Sequence, residues 1–254
     1  PTAHRETNTM PQWAGSCWYY LRYLDPENTE RFVSREAEQY WMGSTGNPGG
    51  VDLYVGGTEH AVLHLLYARF WHKVLFDLGY LTTSEPFQKL VNQGLILGED
   101  GQKMSKSKGN TIDPMILVEQ YGADALRFFM AAMETQGRDI NMSEARIAGY
   151  RNFATKLWNA ARFGEMNECR LRSDFDETKA ELAVNRWIIA KAKQATKEVT
   201  DNLNAFRFSE AANAVYQFTW GSSCDWYIEM IKPILYGEDE KAKAETRAAF
   251  AWVL

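Results

Sequence analysis

The side chains best suited to chemistry lie in one lysine-rich loop. It reads Lys103-Met104-Ser105-Lys106-Ser107-Lys108-Gly109-Asn110 and follows the turn-forming residues Gly98-Glu99-Asp100-Gly101. Lysine ammoniums bring mobile positive charge, and serine hydroxyls and loop amides donate hydrogen bonds, so the loop suits a polyphosphate whose leaving group gains negative charge. The sequence lacks the Gly-x-x-x-x-Gly-Lys-[Ser/Thr] frame of a Walker A loop. A solvated basic surface loop is the alternative interpretation.

A second candidate is the glycine turn Gly56-Gly57-Thr58-Glu59-His60, which follows a predicted strand and leads into a helix that should begin near Thr58 or Glu59. Glycine backbone and a helix N-terminus at such a turn can face a nucleotide, and Glu59 can hold ribose hydroxyls. A helix cap with an acid favoured by the helix dipole explains these residues about as well when they are taken alone.

Two histidines, His60 and His64, lie four residues apart and should share a helix face. This spacing suits a divalent metal, but no third ligand with suitable spacing accompanies the pair, so we predict no metal site. We favour two imidazoles lining a small-substrate pocket, and a role for one of them in satisfying core hydrogen bonds is the alternative. A hydrolase that uses the pair with a metal is a further hypothesis, which metal analysis would test.

Apolar periodicity predicts an α/β region in the first half. Residues 51–55 and 90–97 are predicted strands, and the helix after the first strand should end near Gly79. The predicted buried side of that helix consists of Val62, Leu65, Leu66, Phe70, Val74 and Leu75. An aromatic cluster should be mainly core, with one or two rings against an apolar pocket: Trp13, Trp18, Tyr19 and Tyr20.

Helices dominate the rest of the chain. Asp113 and Pro114 predict the start of one helix, which Gly122 ends, and another helix should begin at Ala123. Three amphipathic patterns then predict a helical bundle, at 143–164, 179–204 and 208–232, with Pro233 ending the last helix. The predicted fold class is therefore α/β followed by all-α.

Composition indicates a packed protein of the cytoplasm. Hydrophobic residues make up 45% of the chain and aromatic residues 13%, which excludes disorder. No apolar run approaches the ~20 residues of a membrane helix, and the first residues lack the apolar stretch of a signal peptide. Cys17, Cys169 and Cys224 are far apart and should be free thiols. The net charge of −5 means that any nucleic acid must be attracted by local basic clusters.

The sequence resembles a known family at several of these motifs. The segment Lys103-Met104-Ser105-Lys106-Ser107 is the ATP-binding loop motif of class I aminoacyl-tRNA synthetases. Residues 5–10, 16–23 and 56–70 resemble bacterial leucyl-tRNA synthetases, from which isoleucyl and valyl enzymes differ markedly in the latter two stretches. Residues 121–127 resemble the junction after the lysine loop in this family, so the similarity covers at least 1–160.

The resemblance implies a leucine pocket formed by Trp13, Ser16, Tyr19, His60 and His64. It implies that Gly57 and Glu59 meet the adenosine ribose and that the loop residues Lys103, Met104, Ser105, Lys106 and Ser107 bind ATP. Lys103 and Lys106 are the implied catalytic residues, and ATP with Mg²⁺ is the implied substrate, without bound zinc. Two positions depart from the family: Trp13 stands where Phe is common, and Gly15-Ser16-Cys17 replaces Asp-Ser-Ser.

The resemblance also implies a domain organisation and an activity. Residues 1–115 would form the second half of a Rossmann-like class I catalytic domain, 116–142 junction helices, and 143–254 a helical anticodon-binding-type domain. The implied parent enzyme is a monomer that acts away from membranes, activates leucine with ATP and transfers the leucyl group to tRNA(Leu). The four histidines lack the His-x-Gly-His motif of the first nucleotide-fold half, so we expect this piece alone to be inactive. A non-catalytic tRNA- or RNA-binding relative is the alternative.

Overall fold

A parallel pair of strands organises the first part of the protein. The computed structural model describes residues 3–4, 7, 12–43 and 49–254, and it divides into two compact units, Pro1–Gly94 and Leu95–Leu254. In the first unit, β1 (Tyr54–Gly57) pairs in parallel with β2 (Leu90–Gln93), and Gly56 stands opposite Asn92. Val51 makes only an isolated bridge, to Phe87, so the strand begins later than predicted. Most of the stretch 5–10 lies outside the described residues.

The crossover between these strands carries helix α4 (His64–Asp77), which starts later than predicted. Thr58–His60 form a 3₁₀ turn instead, and Leu63 has a non-helical backbone. The predicted buried side is wrong at three positions, because Val62, Leu66 and Phe70 are 71%, 60% and 66% exposed. The helix buries a different set: His64, Ala68 and His72. Both imidazoles have hydrogen-bonding tyrosines on that side, which makes their burial favourable.

Three short helices complete the first unit: α1 (Gln12–Ser16), α2 (Tyr19–Arg22) and α3 (Arg35–Trp41). Cys17, Tyr20 and Leu21 pack with Ala68 of α4 in one apolar cluster. The four aromatic residues predicted to be mainly core are less buried than expected: Tyr20 is buried, whereas Trp13, Trp18 and Tyr19 are half-buried. Glu38 of α3 is fully buried and accepts hydrogen bonds from the Thr82 amide at 3.0 Å and the Thr82 hydroxyl at 2.8 Å.

The second unit begins with a separate small sheet. The predicted strand 90–97 is two strands, because β3 (Ile96–Leu97) leaves the first sheet and pairs in parallel with β4 (Ile140–Asn141). The break comes at Gly94 and Leu95, where the Leu95 amide donates to the Asp139 carboxylate at 2.8 Å. Helix α5 (Pro114–Tyr121) begins as predicted, with the Asp113 side chain capping it, and α6 (Ala123–Met133) follows.

A helical bundle forms the remainder, as predicted. Its elements are α7 (Glu144–Met166), α8 (Ala183–Asn204), α9 (Phe208–Tyr216), a π-helical segment (Gln217–Tyr227), α10 (Ile228–Leu235) and α11 (Glu240–Val253). Pro233 does not end its helix, which continues to Leu235. Helix α11 was not predicted; it buries mainly small residues beside Phe250, so its apolar pattern is weak. Within the described residues, the helices are all too short or too polar to cross a membrane.

The bundle core fixes the helices through one apolar cluster and a buried polar network. Ile188, Tyr227, Ile231 and Phe250 are fully buried in the cluster. The Tyr227 hydroxyl donates to the side-chain oxygen Oδ1 of Asn185 at 2.8 Å, and the side-chain Nδ2 of Asn185 donates to the Glu245 carboxylate at 2.9 Å. The class α/β followed by all-α is thus confirmed, and the predicted domain boundaries at 115 and 142 stay a prediction.

Candidate active site

A cavity of about 570 Å³ opens at the carboxyl ends of β1 and β2. In α/β sheets this edge is where ligands usually bind. All seven site residues predicted in the first unit line the cavity: Trp13, Ser16, Tyr19, Gly57, Glu59, His60 and His64. The structure therefore brings these side chains together, and the roles implied for them stay predictions.

Aromatic and imidazole rings form one wall of the cavity. The Tyr19 ring stacks on His64 with a centroid separation of 5.8 Å, and Trp13 meets His60 edge-on at 6.2 Å. The His60 and His64 centroids are 6.3 Å apart, even though His60 lies in the 3₁₀ turn and His64 begins α4. These rings offer a wall that suits a small apolar side chain.

A tyrosine that the sequence reading missed connects two of these rings. The Tyr54 hydroxyl is 2.6 Å from Nε2 of His64 and also hydrogen-bonds the Tyr19 hydroxyl. The Tyr54 ring stacks on Phe87 with centroids 3.9 Å apart, which holds the hydroxyl in place. Its position two residues before Gly56-Gly57 was the available signal, because a residue of the strand that leads to the cavity edge can face the same ligand as the following turn.

Burial keeps Tyr54 and His64, two residues of the cavity wall, uncharged. His64 is only 8% exposed, and burial lowers the pKa of its imidazole, with a smaller contribution from His60. Burial, followed by the hydrogen bond to Tyr19, raises the pKa of the Tyr54 hydroxyl. At neutral pH the Tyr54–His64 pair is therefore neutral, which avoids the cost of a buried charge beside an apolar ligand.

The opposite edge of the cavity is polar. A Cβ at Gly57 would come 2.1 Å from Oε2 of Glu59, so the Glu59 carboxylate folds directly over this glycine. A carboxylate in this place can accept two hydrogen bonds from vicinal hydroxyls. Asn92 lines the same cavity, and its buried Oδ1 accepts no hydrogen bond from any described residue. A ligand N–H group would satisfy this acceptor.

The predicted lysine loop belongs to the second unit. Lys103 forms an antiparallel bridge with Leu97, and a 3₁₀ turn at Lys106–Lys108 ends at Gly109, whose φ of +69° favours glycine. The side chains of Lys103, Lys106 and Lys108 are exposed. They are thus open to an anionic ligand.

Asn110 holds the base of this loop. Its Oδ1 accepts from the Ser105 amide at 2.9 Å, and its Nδ2 donates to the Asp100 carboxylate at 3.3 Å. The Ser105 and Ser107 hydroxyls are 2.7 Å apart, and the Ile112 amide contacts the Met104 sulfur at 3.5 Å. Backbone and side-chain hydrogen bonds therefore shape the loop. The Lys103 and Lys106 side chains are exposed, and the Lys108 ammonium donates to the Gln102 side chain at 3.3 Å.

Among residues 3–4, 7, 12–43 and 49–254, no group of three or more His, Cys, Asp and Glu side chains is placed to hold a metal ion. That His60 and His64 bind no zinc stays a prediction. Cys17, Cys169 and Cys224 are free thiols, as predicted.

Comparison with known proteins identifies two families within the chain. Residues 65–143 match the family described as tRNA synthetases class I (I, L, M and V), and residues 185–254 match the anticodon-binding domain of tRNA ligase. The chain is 51% identical over 186 residues to a valine–tRNA ligase of Mesorhizobium japonicum, covering 73% of this chain and 20% of that protein. It is 47% identical over 219 residues to a leucine–tRNA ligase of Chlorobium phaeobacteroides, covering 84% of this chain and 25% of that protein.

Solved structures agree on the fold. A leucyl-tRNA synthetase from Agrobacterium radiobacter K84, in ternary complex with tRNA and LeuAMS, superposes with a TM-score of 0.77 at 27% identity, covering 98% of this chain and 30% of that one. A methionyl-tRNA synthetase from Mycobacterium tuberculosis, with methionyl-adenylate, gives a TM-score of 0.67 at 22% identity, covering 94% of this chain and 44% of that one. The chain spans 20–25% of the length of these two curated relatives. It carries class I tRNA synthetase catalytic and anticodon-binding sequence, and the predicted Rossmann-like region followed by a helical domain is confirmed.

Proposed function

We propose that this chain, with its class I catalytic and anticodon-binding sequence, is a segment of a leucine–tRNA ligase. Such an enzyme joins leucine to ATP as leucyl-adenylate with release of pyrophosphate, and then transfers the leucyl group to tRNA(Leu). The observation that carries the proposal is the cavity at the carboxyl ends of β1 and β2, where the seven residues implied for leucine and ribose converge. It combines a wall of aromatic and imidazole rings with a carboxylate edge.

The ring wall supports an aliphatic amino acid as substrate. The leucine side chain would contact Tyr19, His60 and His64, while Trp13 and Ser16 complete the wall. Burial of apolar surface contributes most of the affinity for such a side chain. The unpartnered Oδ1 of Asn92 adds an acceptor for an N–H group of the substrate.

Valine is the second candidate amino acid. The 51% identity to a valine–tRNA ligase favours it, whereas the longer match to a leucine–tRNA ligase, over 84% of the chain, favours leucine. One methylene in an apolar pocket is worth only about 1–3 kcal/mol, so the two substrates must be compared by rate and not by binding alone. Residues 56–70 resemble leucyl enzymes, and on that basis we propose leucine.

ATP would be recognised at two places on the chain. Gly57 and Glu59 would hold the adenosine ribose, because the Glu59 carboxylate lies over the glycine at the cavity edge. The loop residues Lys103, Met104, Ser105, Lys106 and Ser107 would bind the phosphates. Magnesium enters with ATP as part of the substrate.

The chemistry of activation needs positioning and charge stabilisation. The leucine carboxylate attacks the α-phosphorus of ATP, the bond to the bridging oxygen breaks, and pyrophosphate leaves with the added negative charge. Lys103 and Lys106 stabilise that charge, and the cavity holds the amino acid in place, so no protein nucleophile is needed. The adenylate then passes its leucyl group to a ribose hydroxyl of the tRNA, which the anticodon-binding sequence at 185–254 is proposed to help bind.

Amino-acid-dependent ATP–pyrophosphate exchange tests this function in a full-length protein that contains the chain. We expect exchange with leucine at a kcat/KM about a hundredfold above that with valine, the order that a small apolar pocket can achieve. Faster exchange with valine would make the protein a valine ligase, and no exchange with either would favour the non-catalytic RNA-binding relative. The 254-residue chain alone is expected to be inactive.

A further inference from the structure

The lysine loop is attached to a very short parallel ladder, formed by β3 and β4. Two backbone hydrogen bonds hold this ladder. The Ile140 amide donates to the Leu95 carbonyl at 2.8 Å, and the Met142 amide donates to the Leu97 carbonyl at 3.0 Å. Leu97 also forms the antiparallel bridge with Lys103, at the start of the loop. A two-stranded ladder is marginally stable by itself, so contacts with other elements must fix its position.

Glu99 connects one end of the ladder to the helical bundle. It follows β3 in the turn that leads into the lysine loop, and its Oε1 accepts from the Glu144 amide at 3.2 Å. Glu144 is the first residue of α7, where backbone amides have no partner within the helix. The helix dipole also favours a carboxylate at this position. The turn before the loop is therefore bound to the first helix of the bundle.

Gln136 connects the other end of the ladder to the bundle. It lies four residues before Ile140, in the connection between α6 and β4. Its Nε2 donates to the Phe206 carbonyl at 3.2 Å and lies 3.4 Å from the Ala205 carbonyl. These carbonyls belong to the turn between α8 and α9, and the last carbonyls of a helix lack partners within it. The connection into β4 is therefore bound to a second place on the bundle.

The two connections act on the ladder from opposite ends. Because β3 and β4 are parallel, Glu99 lies beyond the carboxyl end of the ladder and Gln136 lies before its amino end. Together they oppose a shift or rotation of the ladder relative to the bundle.

Neither side chain is needed for the core or for the proposed ligand contacts. Glu99 and Gln136 are both exposed, and neither belongs to the residues proposed to bind leucine or ATP. The bundle is held by its own apolar cluster, which includes Tyr227 and Phe250. Loss of either exposed side chain should therefore leave the bundle folded and change mainly the position of the ladder.

We propose that Glu99 and Gln136 are positioning residues for the lysine loop. They hold the ladder of β3 and β4 on the bundle, and the ladder holds the loop through the bridge between Leu97 and Lys103. The contribution of a catalytic charge depends on its placement, so both residues support the action of Lys103 and Lys106 on the departing pyrophosphate. The inference rests on the proposed function, because adenylate formation is the reaction that the positioning serves.

Hydrogen exchange of the 254-residue chain tests the positioning role without any substrate. Exchange at the Gly98 and Ser105 amides reports opening at the base of the loop. The first amide donates to the Gln102 carbonyl and the second to the Asn110 side chain, both at 2.9 Å. These bonds must break before either amide can exchange with solvent.

Single substitutions should raise the exchange rate at these two amides. For Glu99→Ala and for Gln136→Ala we expect about twofold to tenfold faster exchange, because loss of one hydrogen bond shifts an opening equilibrium by about that factor. Glu99→Gln keeps a side-chain oxygen that can accept from the Glu144 amide. Its exchange should therefore stay within about twofold of the unaltered chain.

Single-turnover adenylate formation in the full-length protein tests the catalytic consequence. For Glu99→Ala/Gln136→Ala we expect the rate constant to fall about fourfold to a hundredfold, the product of the two single effects. The dissociation constant for leucine should stay unchanged, because the proposed pocket belongs to the first unit. A rise in that constant with a normal rate constant would overturn the positioning role.

Gln194→Ala/Glu198→Ala is the matched control. These exposed residues of α8 have the same side-chain types and bond each other at 2.8 Å, so their loss should leave exchange in the loop unchanged. Equal acceleration in the control, faster exchange spread over the whole chain, or unchanged exchange in the Glu99 and Gln136 variants would overturn the proposal. Hydrogen exchange needs no leucine, ATP or RNA, so failed amino-acid activation would count against the proposed function alone.

Discussion

The Tyr54 hydroxyl lies 2.6 Å from Nε2 of His64, at the wall of the cavity where β1 ends. The same hydroxyl bonds Tyr19, so one strand residue fixes two rings that come from different helices. Without this partner the buried imidazole would lose the hydrogen bond that orients it and would keep its ring contacts with Tyr19 and His60. The shape of the proposed leucine pocket thus depends on a residue that does not need to touch the ligand.

For Tyr54→Phe in the full-length protein we expect the KM for leucine to rise about fivefold to a hundredfold, with a smaller change in kcat. The substitution leaves Nε2 of the buried His64 unpartnered, at a cost of about 1–3 kcal/mol. Steady-state exchange kinetics measure the effect, and Tyr40→Phe, at a tyrosine that is 77% exposed, is the control. An unchanged KM for leucine would show that the hydrogen bond between Tyr54 and His64 does not shape the pocket.

The lysine loop should act on the rate and not on amino-acid binding. For Lys103→Ala or Lys106→Ala in the full-length protein we expect adenylate formation to slow about a hundredfold to a thousandfold, equivalent to ~2.7–4 kcal/mol of transition-state stabilisation. The dissociation constant for leucine should stay nearly unchanged, because the proposed pocket belongs to the first unit.

Single-turnover adenylate formation measures the two lysine variants. Lys108→Ala is the matched control in the same loop, since its ammonium already bonds the Gln102 side chain at 3.3 Å. A near-normal rate of adenylate formation in both variants would show that the loop is a solvated basic surface loop without a role in catalysis. A large rise in the leucine dissociation constant would mean that the loop shapes the amino-acid site.

His72 should make the stability of the first unit depend on pH. It is fully buried, and burial lowers the pKa of its imidazole to about 4 from an unfolded value near 6.5. The unfolded chain therefore takes up the proton first as pH falls, so stability present above pH 6.5 is lost down to about pH 4, by roughly 3 kcal/mol.

Urea unfolding of the 254-residue chain at pH 7, 5.5 and 4 measures this dependence. His72→Gln can keep a bond to the Tyr20 hydroxyl and does not titrate, so its stability should fall less over the same range. Glu85, whose pKa is held at about 2 by Arg69 and Lys73, titrates in a lower window. Parallel pH curves for the variant and the unaltered chain would contradict the role of His72.

Asn110 should control the order of the lysine loop. Asn110→Ala removes the acceptor for the Ser105 amide and the donor to Asp100, so the loop base should open more often. We expect faster tryptic cleavage after Lys103, Lys106 and Lys108 in the 254-residue chain, read by mass spectrometry. Cleavage elsewhere, for example after Arg207, is the internal control. Unchanged cleavage within the loop would show that the loop keeps its conformation without the Asn110 side chain.

Local signals predicted several elements well. Asp113 and Pro114 act as cap and first residue of α5, as their residue types require. The turn from β1 brings Gly57 and Glu59 to the cavity, because a strand end and the following turn are placed by short-range geometry. These features depend on residues that are close in sequence, so local sequence patterns can predict them.

Tertiary partners explain the failures. Hydrophobic spacing favoured Val62, Leu66 and Phe70 as the buried side of α4, but tyrosines from α2 and β1 hydrogen-bond the histidines and turn the other side inward. Tyr54 was missed because its partners are 35 and 10 residues away. Helix α11 was not predicted because its buried residues include the small Ala248 and Ala249, which do not give a strong apolar pattern. None of these relationships is periodic in sequence.

The proposed leucine site is best tested by a crystal structure of the full-length protein with a non-hydrolysable leucyl-adenylate analogue. We expect the leucine side chain to lie against the rings of Tyr19 and His64 in the cavity at the carboxyl ends of β1 and β2. We also expect the ribose hydroxyls to donate to the Glu59 carboxylate at about 2.5–3.0 Å. Density for the leucine side chain outside this cavity, or a ribose held away from Glu59, would show that the cavity is not the leucyl-adenylate site.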